Sequence, residues 1–598
     1  VLYMRIEITL FLLILSGIVA AQDLVILHTN DLHSHINGLA PEVDYSPLTL
    51  NDDDTKGGFA RIAGLIDEQK QVYGSKLLVV DAGDFLMGTL FQTLETKTGF
   101  QLHLMKKMGY DIVALGNHEF DFGPNTLAQI IENNINLGEI PQVVNSNYIP
   151  EKDGSDSKFS RLFDNGRILR YSVIEKNGFR IGVFALLGKA ANEAIPGYLN
   201  VRFDENKRVA KRIAAHLKNV EKVDLVIALS HSGVTDKGKK GWRGEDYDLA
   251  KAVDDIDIVI SGHTHTELPS IVYAGKGIVV QTGSMGINVG KLEISFDSNK
   301  RPNVKYQLIA VDDKILGDSD LQRVIDKKSE EIQQLLSSEV NIDLTKPILE
   351  TTFPLTLDEL VPGQSNLGPF VSDALYYTLR DIFKNPVDVT VVATGVIRQN
   401  IEVGKTGMQN VNDLFHIMPL GIGENTLPGS PLGKIYVTGN ELKKIMELIL
   451  TVYHSKRDYY LFSTGMNIKY DPNKGLFRKI SEMTIGTEET GYRNISFSAK
   501  DKTLYSIAAN KYILSFIGAI KKMSFGLVKV TSKDSAGNVI EGENLLIDAD
   551  SQKPGIQEVK EWLSLVEYVR SFPDHNGNGV PDMPEKYKGK VNPFVVVD

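Results

Sequence analysis

Cysteine is absent from the 598-residue chain. Its absence excludes disulfide scaffolds, thiol nucleophiles and metal sites built from thiolates. Basic residues are in the minority, since 65 Lys and Arg stand against 76 Asp and Glu, which gives a net charge of -11. We therefore expect no nucleic acid polymer as a partner, because duplex binding needs clustered positive charge. Small anionic substrates stay open, because a bound metal ion can reverse the local charge.

Long apolar runs are lacking after the first 21 residues. The first segment, Val1 to Ala21, is mostly apolar, carries Arg5 near its start and ends on two alanines. This pattern predicts a secretory signal peptide cleaved near Ala21, with a buried or membrane-anchoring helix as the alternative. No later run is long enough to cross a bilayer. We therefore expect an exported protein that is either periplasmic or extracellular, including the cell surface.

The first half of the chain alternates short apolar runs with helical patterns, which indicates an α/β layered domain. Runs of this kind are typical of strands buried on both faces. They are Leu24–Leu27, Leu77–Val80, Ile112–Leu115, Leu225–Leu229 and Ile256–Ile260, with predicted helices at Phe59–Gln71 and Asn206–Glu221.

The second half predicts a separate mixed domain. Its cues are strands at Val387–Val392 and Gly433–Val437 and helices at Asp318–Ser338, Glu441–Val452 and Ile556–Phe572. We expect a signal peptide over 1–21, a first domain over 22–317, a linker helix over 318–345, a second domain over 346–548 and a C-terminal extension over 549–598.

Polar residues follow each of the five predicted strands of the first domain. Ligands of open α/β sheets bind beyond the carboxyl ends of the strands, so these residues are expected to meet at one edge. Mixed imidazole, carboxylate and amide ligands suit divalent Zn, Mn, Co or Fe. Two such ions can bind the attacking and leaving oxygens of a phosphoryl displacement. The candidate metal ligands are Asp31, His33, Asp84, Asn117, His231, His263 and His265.

The order of these motifs, Asp-x-His, Gly-Asp, Gly-Asn-His-Glu, an isolated His and Gly-His-x-His, resembles the calcineurin-like metallophosphoesterases. Three longer strings are similar to the 5′-nucleotidase family: LHTNDLHSH at Leu27–His35, GGFARIAGL at Gly57–Leu65 and GNHEFDFG at Gly116–Gly123. That family includes periplasmic UDP-sugar hydrolases and surface ecto-nucleotidases. The resemblance implies a four-layer α-β-β-α sandwich followed by an α+β substrate-binding domain.

The resemblance also implies a role for each residue of the edge. One metal ion would be held by Asp31, His33 and His265, the other by Asn117, His231 and His263, with Asp84 as the bridge. His118 and Asp121 would form a catalytic dyad. Asp121 orients the imidazole, and protonated His118 stabilises charge on the phosphoryl group or on the leaving oxygen.

Two arginines of the second domain match substrate-binding positions of the family. SNLGPFVSDALYYTLR, residues 365–380, resembles the opening motif and ends on Arg380. TGVIRQNIEVGKTG, residues 394–407, resembles the second motif and contains Arg398. Arginine suits phosphate because its planar fork pairs two oxygens. The alternative for each is a surface arginine paired with nearby acids.

The second domain departs from the family where the base should bind. The aromatic residue of the family's Pro-Phe segment appears here as Leu420 after Pro419, and the late Gly-Gly-Asp motif is missing. Tyr512 or Phe516 could supply one aromatic face, with plain core packing as the alternative. Nucleotide specificity is therefore less strongly indicated than phosphoesterase chemistry.

A loop near the C-terminus has the spacing of a calcium loop. Oxygen-bearing residues recur around glycines, and oxygen ligands favour calcium in an exported protein; a polar turn without an ion is the alternative. The candidate calcium ligands are Asp574, Asn576, Asn578, Val580, Asp582 and Glu585.

The sequence thus predicts an exported two-metal phosphoesterase that hydrolyses a small phosphate ester, a nucleotide in the leading hypothesis, by metal-activated hydroxide. The alternatives are a non-nucleotide or cyclic-nucleotide phosphoesterase and a catalytically silent surface binding protein.

Overall fold

A computed structural model describes residues 23–596, apart from 197–198, 200, 237, 239–240, 298–300, 359–361, 424–426, 455–456, 516–525, 527 and 590–593. The predicted signal peptide, residues 1–21, and the candidate Phe516 lie outside the described residues. Within the described part, no helix combines the length and the apolar character that crossing a membrane requires.

Two β-sheets form the centre of the first domain. Their strands are Leu24–Thr29 (β1), Leu77–Asp81 (β2), Ile112–Ala114 (β3), Gln142–Val144 (β4), Ile168–Leu169 (β5), Ser172–Lys176 (β6), Phe179–Leu187 (β7), Leu225–His231 (β8), Ile258–Ser261 (β9), Val272–Ala274 (β10), Gly277–Val280 (β11), Asn288–Phe296 (β12) and Pro302–Ala310 (β13). One sheet has the order β13-β12-β1-β2-β3-β4-β5, and the other has the order β10-β11-β9-β8-β7-β6. Strands β1 to β5 are parallel, as are β7, β8, β9 and β11.

Helices cover the outer faces of both sheets. They are Phe59–Tyr73 (α1), Gln101–Met108 (α2), Pro124–Leu137 (α3), Ser157–Asp164 (α4), Asn206–Asn219 (α5) and Glu245–Ala252 (α6). Side chains of a strand alternate between faces. Ile26 of β1 accordingly packs between the sheets with Ile227 of β8, whereas Leu27 packs under α1 and Phe184 packs under α5. The predicted four-layer sandwich is confirmed.

The second domain follows a long helix and contains two further sheets. The helices are Ser319–Val340 (α7), Leu367–Tyr377 (α8), Gly439–Val452 (α9) and Glu561–Arg570 (α10), and the strands are Val389–Ala393 (β14), Leu432–Thr438 (β15), Leu461–Thr464 (β16), Met466–Tyr470 (β17), Ile480–Ile485 (β18), Arg493–Asn494 (β19), Leu504–Asn510 (β20) and Phe594–Val596 (β21). The sheet orders are β15-β20-β14-β16 and β19-β18-β17-β21. The predicted α+β character is therefore also confirmed.

Shorter elements connect this framework. Helical segments of four to six residues are Gln92–Glu95, Lys189–Ala194, Val411–Phe415 and Lys511–Ser515. Short strand pairs join Gly38–Leu39 to Lys56–Gly57, Tyr148–Ile149 to Arg202–Phe203, Thr235–Asp236 to Trp242–Arg243 and Leu349–Glu350 to Met408–Gln409.

One predicted helix begins later than expected. The pattern at Ile556–Phe572 predicts a helix over the whole segment, but α10 begins at Glu561. The preceding residues extend along β15 instead, since Leu432 N donates to Val559 O at 2.8 Å. Residues of the predicted C-terminal extension thus pack into the second domain: Trp562 is fully buried, and β21 pairs with β17.

The two domains share a polar contact surface. Asn412 Nδ2 donates to Glu42 Oε1 at 2.7 Å, and Glu42 N donates to Asp413 Oδ1 at 2.6 Å. Gln92 Nε2 donates to Pro419 O at 3.1 Å. These bonds join the segments around Glu42 and Gln92 of the first domain to the short helix Val411–Phe415 and to the loop that follows it.

Candidate metal centre

The predicted ligands lie on the turns that follow β1, β2, β3 and β9 and at the last residue of β8. Left-handed backbone angles recur among them: φ is 52° for Asp31, 49° for His33, 57° for Asp84, 76° for His263 and 52° for His265. Residues other than glycine adopt this conformation at a cost, and such residues cluster at functional sites. The turns are fixed to each other, because Asp31 N donates to Gly83 O and His33 N donates to Asp84 O, both at 2.9 Å.

One group of side chains brings together Asp31, His33 and His265, as the resemblance implies. The Nε2 atoms of the two histidines are 3.0 Å apart, and they lie 4.0 and 3.5 Å from Asp31 Oδ1. His33 Nδ1 is 3.0 Å from the carbonyl oxygen of Met87. We assign the ring proton to Nδ1 on this contact, so Nε2 keeps a lone pair for a metal ion.

A second group lies around Asp84. His231 Nε2 is 2.9 Å from Asp84 Oδ2 and 3.8 Å from Asp31 Oδ1. His263 Nδ1 is 3.1 Å from Asn117 Oδ1. Asp84 also shares a group of candidate ligand atoms with His33. This central position is what a bridging carboxylate requires.

The buried Nε2 atom of His231 tests whether a metal ion fits. Among the described residues, it has no partner in hydrogen-bond geometry, although His231 is completely buried. Its Nδ1 atom lies 3.0 Å from Ala82 O, so the neutral ring would carry its lone pair on Nε2. A buried lone pair without a donor is costly, and a divalent ion between the two carboxylates would satisfy it.

The electrostatics of the pocket point the same way. Burial lowers the pKa of His263 to about 3 and also lowers that of His33 and His265, so these rings stay neutral and able to ligate. Burial also lowers the pKa of His231, but the Asp84 and Asp31 carboxylates outweigh burial and raise it to about 10. The two carboxylates therefore demand positive charge, which metal ions would supply.

The predicted dyad is formed at the edge of this cluster. His118 Nδ1 lies 2.6 Å from Asp121 Oδ2, and His118 N donates to Asp84 Oδ1 at 2.8 Å. Burial lowers the pKa of the His118 imidazole, but the carboxylates of Asp121 and Asp84 outweigh burial and raise it. The ring is thus favoured in its protonated form beside the ligand cluster.

The two predicted substrate arginines have different surroundings. The positive charge of Arg398 opposes protonation of His33, His118 and His265, so this arginine lies close to the metal edge. Its guanidinium has no hydrogen bond or ion pair with any other described residue. Arg380 instead pairs with Asp381 and with Glu489, each at 2.8 Å, which is the arrangement of the alternative interpretation.

Tyr512 lies on the same side as the dyad. Burial raises its pKa to about 12, and the charges of Asp121 and Arg398 act on its hydroxyl. The side chain is 39 % exposed, so part of it can be reached by a ligand.

Sequence reasoning assigned no role to two residues that shape this centre. Glu119, in the Gly-Asn-His-Glu motif, accepts from the backbone N–H groups of Asp84, Leu86 and Gly116 at 3.0, 2.9 and 2.6 Å. Asn30 donates to Gly283 O at 2.7 Å and to the Asp31 carboxylate at 2.6 Å. Each residue is next to a predicted site residue in the sequence, and this adjacency is the feature that could have identified it.

The candidate calcium loop forms a compact turn. The two oxygens of Asp574 accept from Gly577 N at 2.7 Å and from Gly579 N at 2.8 Å. Glu350, from a separate strand, accepts from the side-chain amides of Asn576 and Asn578 at 2.9 and 2.6 Å. Val580 and Asp582 lie in the same loop, because Val580 N donates to Asn578 Oδ1 and His575 N donates to Asp582 Oδ2. Glu585 lies outside these contacts and pairs with Lys588 at 3.4 Å.

This fold and centre define the class of the protein. The family of calcineurin-like phosphoesterases matches residues 24–267, and the 5′-nucleotidase C-terminal domain matches residues 345–521. The chain belongs to the 5′-nucleotidase family of metallophosphoesterases.

Individual relatives agree with this assignment. The rat 5′-nucleotidase is 25% identical over 490 residues, which cover 77% of this chain and 78% of that protein. The trifunctional nucleotide phosphoesterase YfkN of Bacillus subtilis is 23% identical over 82% of this chain, but the match spans only 32% of that longer protein. The crystal structure of a 5′-nucleotidase precursor from Thermus thermophilus shares the fold, with a TM-score of 0.67, 20% identity and coverage of 96% and 99% of the two chains.

Proposed function

We propose that the protein is an exported two-metal phosphoesterase that hydrolyses phosphate esters of nucleotides. The observation that carries the proposal is the convergence of imidazole nitrogens on two carboxylates: His33 and His265 beside Asp31, and His231 beside Asp84. Zn, Mn, Co or Fe suits this ligand set.

The roles of the residues follow from their positions. Two divalent ions would stabilise charge on the phosphoryl oxygens and supply a water nucleophile at neutral pH. Arg398 lies close to the ligands with a guanidinium that no described residue pairs, and it would bind the phosphate oxygens that do not react. Protonated His118, oriented by Asp121, would stabilise charge on the phosphoryl group or on the leaving oxygen.

Phosphate release from a substrate panel tests this function. The panel contains AMP, UDP-glucose, 2′,3′-cyclic AMP and a sugar phosphate, each with Mn, Zn, Co or a chelator. We expect metal-dependent release that Asp84→Ala and His118→Ala abolish and that the control His103→Asn, outside the cluster, leaves intact. No release from any substrate with any metal would exclude the enzyme and favour a silent binding protein.

A non-nucleotide or cyclic-nucleotide phosphoesterase is the second candidate. The observation in its favour is Leu420, which stands where the family has an aromatic residue. Base stacking on one aromatic side chain contributes about 1–3 kcal/mol, so its loss weakens the preference for a nucleoside. A higher kcat/KM for the sugar phosphate than for AMP would decide for this candidate.

We further propose that the segment before Gln22 is removed on export to the periplasm or to the cell surface, and that the mature domains span 22–317 and 346–548. The apolar leader supports this proposal, and the N-terminal sequence of the secreted protein tests it.

We also propose that the loop from Asp574 binds calcium, with Glu350 as an additional acid at the loop. The oxygen-rich spacing supports this proposal.

A further inference from the structure

The segment beyond residue 521, which the 5′-nucleotidase C-terminal family does not match, carries a buried ion pair. Lys560 Nζ lies 2.8 Å from Glu558 Oε2, and the two side chains are 0 and 1 % exposed. Burying two charges costs free energy that their attraction only partly returns. A well-packed apolar pair could fill the same space, so the ion pair calls for a role beyond stability.

One connection leads from this segment to Tyr512. Glu561, next to Lys560, is buried, and its Oε2 atom accepts from Asn510 Nδ2 at 2.8 Å. Asn510 Oδ1 in turn accepts from Ile513 N at 2.8 Å, in the first turn of the short helix Lys511–Ser515. Glu561 therefore fixes the start of the helix that carries Tyr512.

A second connection leads to two short segments, residues 421–423 and 427–429. They are joined because Gly429 N donates to Gly421 O at 2.8 Å, and we call them the Gly421/Gly429 pair. A Cβ atom on Gly423 would overlap both Lys560 Nζ and Glu558 Oε2. The backbone of the Gly421/Gly429 pair thus lies directly on the ion pair. It follows Pro419, which Gln92 of the first domain contacts.

We propose that Glu558, Lys560 and Glu561 are positioning residues that set substrate preference. They hold the Gly421/Gly429 pair and Tyr512, which would contact the part of the substrate remote from the phosphate. The contacts described above lead from these residues to Gly423 and to the helix that carries Tyr512, so they act through backbone placement. The inference rests on the proposed phosphoesterase function, because it concerns the substrate side of the same site.

The test compares two substrates on the metal-loaded full chain. AMP would reach both the metal ligands and the Gly421/Gly429 pair, whereas methyl phosphate would reach only the metal edge. For Lys560→Met and Glu561→Leu, we expect the KM for AMP to rise about tenfold, equivalent to about 1.4 kcal/mol. We expect kcat for AMP and both constants for methyl phosphate to change less than about twofold.

A matched control is Tyr587→Phe in the same C-terminal segment, which removes the hydrogen bonds of its hydroxyl to Asp373 and Tyr568 but leaves the Gly421/Gly429 pair untouched. It should leave all four constants unchanged. Gly423→Ala perturbs the Gly421/Gly429 pair from the opposite side and should also raise the KM for AMP. It replaces Lys560→Met as the test if that variant fails to fold.

An unchanged KM for AMP in the variants that fold would overturn the inference while phosphate release continues. An equal loss on both substrates would also overturn it, because a general weakening of the fold predicts that result. A wild-type protein that hydrolyses neither substrate would instead remove the proposed function, and this inference with it.

Discussion

Replacing Arg398 by alanine should slow hydrolysis far more than replacing Arg380, although both arginines match family motifs. The Arg398 guanidinium lies close to the ligand histidines and has no paired acid among the described residues. A hydrogen bond to a charged group contributes about 1.5–3 kcal/mol. Loss of a fork that holds two phosphate oxygens should therefore cost about 3 kcal/mol or more, which is at least about a hundredfold in kcat/KM.

Arg380 serves as the matched control. Its side chain is 32 % exposed and is shared between Asp381 and Glu489, and exposed pairs contribute about 0–1 kcal/mol. Arg380→Ala should change kcat/KM less than about threefold. Arg398→Lys keeps the charge but loses the fork, so its loss should be smaller than that of Arg398→Ala. Steady-state kinetics of phosphate release decide, and equal losses in both alanine variants would refute the reasoning.

Two further predictions concern stability. Burial lowers the pKa of His28 to about 3, and neither ring nitrogen has a hydrogen-bond partner among the described residues. Below pH 6.5 only the unfolded state binds a proton at His28. The free energy of unfolding therefore falls by about 1.4 kcal/mol per pH unit because of His28 as the pH falls toward 3. Between pH 7.5 and 5, the free energy of unfolding measured with urea should fall by about 2 kcal/mol less in His28→Leu than in wild type. An equal fall in the two proteins would contradict this prediction. After a chelator has removed calcium from the wild type, calcium added at a hundred times its Kd should raise the free energy of unfolding by about 2.7 kcal/mol. Thermal unfolding of Asp574→Ala should show no such gain. A gain in Asp574→Ala equal to that of wild type would argue against the loop.

The layered fold and the candidate ligands could be predicted because both depend on short stretches of sequence. Each buried strand is a continuous apolar run, and the polar residues that follow it reach the same edge in any parallel sheet. Asp31, Asp84 and His231 were therefore identifiable without knowledge of how the strands are ordered.

Contacts between distant segments could not be predicted in this way. Glu489 lies 109 residues from Arg380, yet its carboxylate pairs with that guanidinium. The three backbone donors of Glu119 come from two separate turns, so nothing local reveals that its carboxylate joins them. Residues before Glu561 look helical by periodicity, but pairing with the β15 segment outweighs that local tendency.

The substrate side offers a gain-of-function prediction at Leu420. This residue follows Pro419, whose carbonyl oxygen accepts from Gln92 Nε2 at 3.1 Å, so its backbone is held next to the first domain. Leu420→Phe restores the aromatic residue of the family motif, and stacking of a base on it contributes about 1–3 kcal/mol. If nucleotides bind here, kcat/KM for AMP relative to a sugar phosphate should rise about fivefold or more. Leu420→Met is the control, because it adds no ring. A ratio that Leu420→Phe leaves unchanged would mean that the nucleoside does not bind against this loop, and the non-nucleotide alternative would then be favoured.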